Sequence, residues 1–135
     1  MERKYYPTIA QLIDRLAIVT LKSIKISEYK KEYEEEANSI MHDLDLLLGE
    51  NQGQIIRAIQ INMLSNETIW QNEAKARVGE SNQDHLLKFT HSVNGIRTSA
   101  MNKISSLLGE RKDLKVDCLA AESCKLNGYD FEGVL

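Results

Sequence analysis

Nine side chains have the types and spacing to do chemistry together: Arg15, Lys22, Asn66, Trp70, Glu73, Arg77, His91, Asn94 and Arg97. Guanidinium, ammonium, amide and imidazole groups are hydrogen-bond donors, and the guanidinium fork matches phosphate or carboxylate oxygens. The segment "NETIWQNEAKAR" carries four of them on a stripe spaced by three and four residues: Ile56, Ile59, Met63, Asn66, Trp70, Glu73 and Arg77. Read as the core-facing stripe of one amphipathic helix, it begins apolar and ends charged. Trp70 within it either fills the core or stacks on a base-like ring.

A second segment, "FTHSVNGIRTSAMN", repeats the pattern. On a helical wheel Arg97 falls near the centre of the arc formed by Val93, Ala100 and Ile104, with Thr90 inside that arc and His91 and Asn94 at its flanks. An isolated buried charge is costly, whereas a paired and hydrogen-bonded one is tolerated. Glu73 with Arg97 or Arg77 makes the natural pair, and Asn66, Asn94 and His91 can complete a network. Two arginines and the nearby Lys88 still outnumber Glu73, an excess that suits an anionic ligand. Two other readings stand beside it: a buried network that fixes helix register, and helix ends emerging into water. Gln11, Asp14, Arg15, Lys22 and Lys25 share one side of the first helix, and periodicity alone makes that a solvated face.

The elements that must position these groups follow from the punctuation. The single proline, Pro7, precedes Thr8, which can cap a helix, and the glycines fall mostly where periodicity stops. Three long helices are predicted, over about 8–48, 54–78 and 83–110, the first with a polar middle, "SEYKKEYEEEANS", that is solvated or holds a break. The third is striped by Leu86, Phe89, Val93, Ile96, Ala100, Ile104 and Leu107. The tail offers a short helix over 119–126 and then an Asn-Gly turn leading to Tyr129, Phe131, Val134 and Leu135. The fold class expected is all-α: an antiparallel helical bundle of three long helices plus a short C-terminal helix or tail. Residues 1–112 form the bundle domain and 113–135 an extension packing on the bundle or on a partner protomer.

Composition narrows the function classes. With 135 residues, 42% hydrophobic and 27% charged, the chain suits one globular domain. A net charge of -3 argues against duplex nucleic acid as a partner. No apolar run is long enough to span a bilayer and the N-terminus lacks a secretory segment, so a cytoplasmic location without a membrane partner is expected. Cys118 and Cys124 match neither a redox nor a zinc spacing, so no metal site and no cofactor are expected.

The opening "TIAQLIDRLAIVTLK" resembles an uncharacterised all-helical family of bacteria and tailed phages that begins with a LIDRLxIxxLK motif. The segments "NETIWQNEAKAR" and "LKFTHSVNGIRTSAMNKI" resemble its phage members, so the likeness runs over most of 8–105. It implies that Asp14, Arg15 and Lys22 belong with Asn66, Glu73, Arg77, His91, Asn94 and Arg97, since the same three blocks carry them. The family brings no settled activity. Tailed phages encode small proteins that sequester host nucleotide signals, and by that analogy of setting a nucleotide-like ligand in the host cytoplasm is expected.

Three functions compete. The first is non-catalytic binding or sequestration of a small anionic, nucleotide-like molecule by a homo-oligomeric bundle. The second is a metal-dependent nucleotide pyrophosphatase or hydrolase of all-α type, with Glu32, Glu35, Glu36 and Asp43 as acidic candidates. Against it, the second helix offers only Glu67 and Glu73 and no paired ExxD, and "EYEEE" reads better as a solvated charge run. The third is an oligomeric adaptor or assembly protein that docks through Tyr129, Phe131 and Leu135.

Overall fold

The hydroxyl of Thr8 accepts a hydrogen bond from the Gln11 amide at 3.1 Å, and the Gln11 side chain accepts from the Thr8 amide at 2.8 Å. This reciprocal capping satisfies donors that a helix start would otherwise leave open. It begins α1, Ile9–Lys25, in the computed structural model, which describes residues 4–77, 83–110, 125–126 and 128–134. The expected single helix over 8–48 is in fact two. A 3-10 turn over Ser27–Tyr29 reverses the chain into α2, Lys30–Leu48, so the break falls within the polar middle. Folding back lets Leu12, Leu16 and Val19 pack against Ala37, Ile40 and Leu44, which one continuous helix would hold apart.

Gly49 and Asn51, with φ of 124° and 68°, turn the chain into α3, Gln52–Arg77. At Gly53 α3 crosses α2 so closely that an added Cβ would lie 2.6 Å from the Met41 Cα. The Asp45 carboxylate accepts from the Gly53 amide at 2.7 Å, so α2 supplies the acceptor that the first turn of α3 needs. The last long helix, α4, Gln83–Leu108, packs along α3. An antiparallel two-stranded hairpin then pairs Lys125–Leu126 with Tyr129–Asp130 across the Asn-Gly dipeptide. Strand therefore stands at 125–126, where the sequence suggested the end of a short helix; 119–124 lie outside the described residues.

The architecture is an all-α bundle of four helices with a small C-terminal hairpin. Its core has two centres. One joins α1 to α2; the other gathers Ile24, Ile61, Phe89, Val93 and Ala100 around Phe131 and Val134. The C-terminal aromatics thus cover the protein's own bundle. Phe131 is fully buried, and Lys30 holds Asp130 through its carboxylate at 3.3 Å and its carbonyl at 3.0 Å.

The stripe of α3 is corrected as well. Its buried line runs through Ala58, Ile61, Ser65, Thr68 and Asn72, while Ile59, Met63 and Trp70 are 54%, 70% and 74% exposed. Trp70 follows Ile61 by nine residues, about two and a half turns, which puts the expected stripe on the opposite side of the helix. The hydroxyls explain why polar residues occupy the inner line. Ser65 and Thr68 each donate to the carbonyl four residues earlier at 2.7 Å, and Asn72 donates to the Leu86 carbonyl at 2.7 Å and to the Thr90 hydroxyl. The Ser65 and Thr68 hydroxyls, satisfied in this way, are buried at small cost, and their size lets α3 and α4 approach. No described helix is long and apolar enough to cross a membrane.

Candidate functional site

Glu34, Asn38, His42 and Asp45 lie at intervals of four, four and three residues, which places them on one face of α2. They form one wall of an open cavity of about 520 Å³. Gln54, Arg57 and Ala58 from α3 face them, Lys103 enters from α4, and Gly133 and Val134 close one side. The close crossing at Gly53 sets the spacing of the two main walls, and the buried Val134 anchors the C-terminal edge.

Arg57 is the unusual member. It is only 6% exposed, and its Nη2 lies 2.6 Å from Glu34 Oε2. That approach is an ion pair by distance but lies off the N–H directions, so neither Nε nor Nη2 has a hydrogen-bond acceptor. Glu34 is held from the other side by Ser23, whose hydroxyl donates to Oε1 at 2.8 Å. A guanidinium, a lysine and two side-chain amides thus line a cavity of the size that takes small ligands. Among the lining residues Arg57 and Lys103 can hold an oxyanion, and Asn38 and Gln54 can hydrogen-bond a polar ring or amide.

The residues singled out in the sequence stand elsewhere. Asn66, Trp70 and Glu73 are exposed on the outer face of α3, where Asn66 donates to the Asn62 carbonyl at 3.0 Å. His91 and Asn94 are exposed on α4; Arg97 is half-buried and donates from Nε to Asn94 Oδ1 at 3.1 Å. Asn94 and Arg97 are therefore brought together, but toward solvent rather than into a shared core. The Arg77 side chain lies outside what the structure describes. Arg15 forks onto Glu36, with Nη2 at 2.9 and 3.1 Å from its two oxygens, and Lys22 sits 5.8 Å from the centre of the Tyr33 ring, so both turn toward α2. The acidic candidates disperse: Glu32, Glu35 and Asp43 are exposed and Glu36 is engaged by Arg15. Among the described residues no three His, Cys, Asp or Glu side chains converge in a way that could hold a metal ion.

Sequence reasoning missed Arg57, Glu34 and Lys103. The available signal was the line Gln54, Arg57, Ala58, Ile61, Ser65, Thr68 and Asn72, in which a charge precedes small residues at helical spacing. Neither a family model nor a curated protein nor a solved structure matches the chain.

Proposed function

We propose that the protein binds a small anionic, nucleotide-like molecule in the cleft between α2, α3 and α4, without transforming it. One observation carries this reading: Arg57, a nearly buried guanidinium paired with Glu34 at 2.6 Å, lines the cavity while its Nε and Nη2 lack a hydrogen-bond acceptor. A buried donor left without an acceptor is costly, and a small turn of the Arg57 side chain toward the cavity would let a ligand oxygen satisfy it. Lys103 adds a second cation to the same wall, while Asn38 and Gln54 offer the paired donors and acceptors that a nucleobase or amide needs. The phage-like segments supply the setting: sequestration of a host nucleotide signal in the host cytoplasm. Self-association belongs to the same proposal, supported by the apolar side chains left exposed on α3.

A thermal-shift screen against nucleotides, cyclic dinucleotides and ADP-ribose derivatives tests it, with product analysis to detect turnover. The wild type should melt higher with at least one of them, as any ligand that binds only the folded state requires. Lys103→Met and Arg57→Met should lose that rise while keeping helical circular dichroism. Equal responses in wild type and both variants would remove the cleft from consideration, and consumption of the ligand would make the protein an enzyme.

A further inference from the structure

We propose that Glu34 selects which anions the cleft accepts, admitting oxyanions that carry their own hydrogen-bond donor and rejecting those that have none. The proposal rests on the reading of the cleft as an anion site. Arg57 is the more buried of the two cations in that site, and an anion approaching its guanidinium must come close to Glu34, because Glu34 Oε2 stands 2.6 Å from Arg57 Nη2. Glu34 cannot simply move away, since Ser23 holds Oε1 at 2.8 Å from the α1 side. Its side chain is 24% exposed and faces the cavity, so an incoming group meets the carboxylate as well as the guanidinium.

The consequence follows from the donor inventory. Each oxygen of an ionised carboxylate has about two acceptor positions; on Glu34 one position of Oε1 is taken up by Ser23, while Oε2 faces Arg57 Nη2 as an ion pair and keeps its acceptor positions. An entering oxyanion with a hydroxyl can donate into a free position and turn repulsion into a hydrogen bond. One without a hydroxyl places bare negative oxygens against a fixed carboxylate. The ligand class is therefore an oxyanion bearing or adjoining a hydroxyl, such as a phosphoryl group beside a sugar hydroxyl. Asp45 also lines the cavity, but Glu34 is the carboxylate paired with Arg57, so it is the one an anion meets at the guanidinium.

Hydrogen phosphate and sulfate separate donor capacity from charge. At one mildly alkaline pH both are predominantly dianions of similar shape, and only hydrogen phosphate carries a proton to donate. Titration calorimetry on the wild-type chain should give about tenfold or tighter binding of phosphate over sulfate, the scale of one charge-assisted hydrogen bond gained against one repulsion. In Glu34→Gln the preference should collapse to within about threefold, mainly through tighter sulfate binding, because the amide donates where the carboxylate repelled. The wild-type comparison needs no variant and so holds even if Glu34→Gln folds poorly. Equal binding of the two anions by the wild type, or an unchanged preference in a folded Glu34→Gln, overturns the selection role alone. Binding of neither anion overturns it together with the anion site on which it rests.

Discussion

Arg57 and Glu34 show how a charge survives inside a small bundle. Neither is fully stripped of water, at 8% and 24% side-chain exposure, and each has the other within contact distance. Removing one member leaves the second partly buried without compensation, which costs more than the pair itself contributes. Glu34→Ala should therefore lower stability by about 2–3 kcal/mol, less than for a fully buried pair because Glu34 keeps some solvent. Urea denaturation reads this directly, and a loss below about 0.5 kcal/mol, the size of an exposed pair, would show that water already screens the interaction. At this scale the site was only partly legible. An arginine one position before a core alanine looks from the sequence like a helix flank, and only the close approach of α2 turns it inward. The hydroxyls of Ser65 and Thr68 misled for a related reason: their bonds to backbone carbonyls hide polarity that a pattern of residue types counts as exposed.

Among the elements, the apolar stripe expected for α4 is partly right: Leu86, Phe89, Val93 and Ala100 are buried, whereas Arg97, expected near the centre of that arc, is half-buried and donates to the exposed Asn94. In α3 apolar residues occur all round the helix, with Ile59, Met63 and Trp70 opposite Ala58, Ile61 and Leu64, so spacing alone could not choose the inner side. What chooses it is fit, because small side chains are needed where helices come close. The first helix pair depended on tertiary packing too, since Ser27–Tyr29 contains neither proline nor glycine to announce a reversal. Gly53 is where fit is most exacting. Gly53→Ala would bring a methyl group against the Met41 backbone, which cannot rotate aside as a side chain would. The substitution should cost about 1–3 kcal/mol by forcing α2 and α3 apart, despite alanine's better helix propensity. A denaturation midpoint equal to or above that of the wild type would mean that the crossing is looser than described. Because the same crossing sets the cleft width, the substitution should also weaken whatever ligand the wild type binds.

The whole molecule leaves one face unexplained by its own packing. Ile59, Met63 and Trp70 follow one another at intervals of four and seven residues along the outer side of α3 and are each more than half exposed. A single exposed apolar residue needs no explanation, but a line of three that includes the only tryptophan is the pattern of a helix surface made for contact. Asn66 sits within the line and Glu73 extends it, so the face is interrupted by polar groups in the way that fixes register between paired helices. Among the described residues of the C-terminal segment, Phe131 and Val134 are committed to the opposite, inner side with Ile61. The expected outcome is self-association at micromolar concentration, seen as a mass above 15.4 kDa by light scattering. Met63→Lys with Trp70→Lys should give a monomer of unchanged helical content, because both side chains are mostly exposed and belong to neither core cluster. The cleft lies on the inner side of α3, so the monomeric variant should keep any ligand response of the wild type. A wild type that scatters as a monomer would refute the assembly without touching the site, and a double variant that unfolds would show the outer face to be part of the fold.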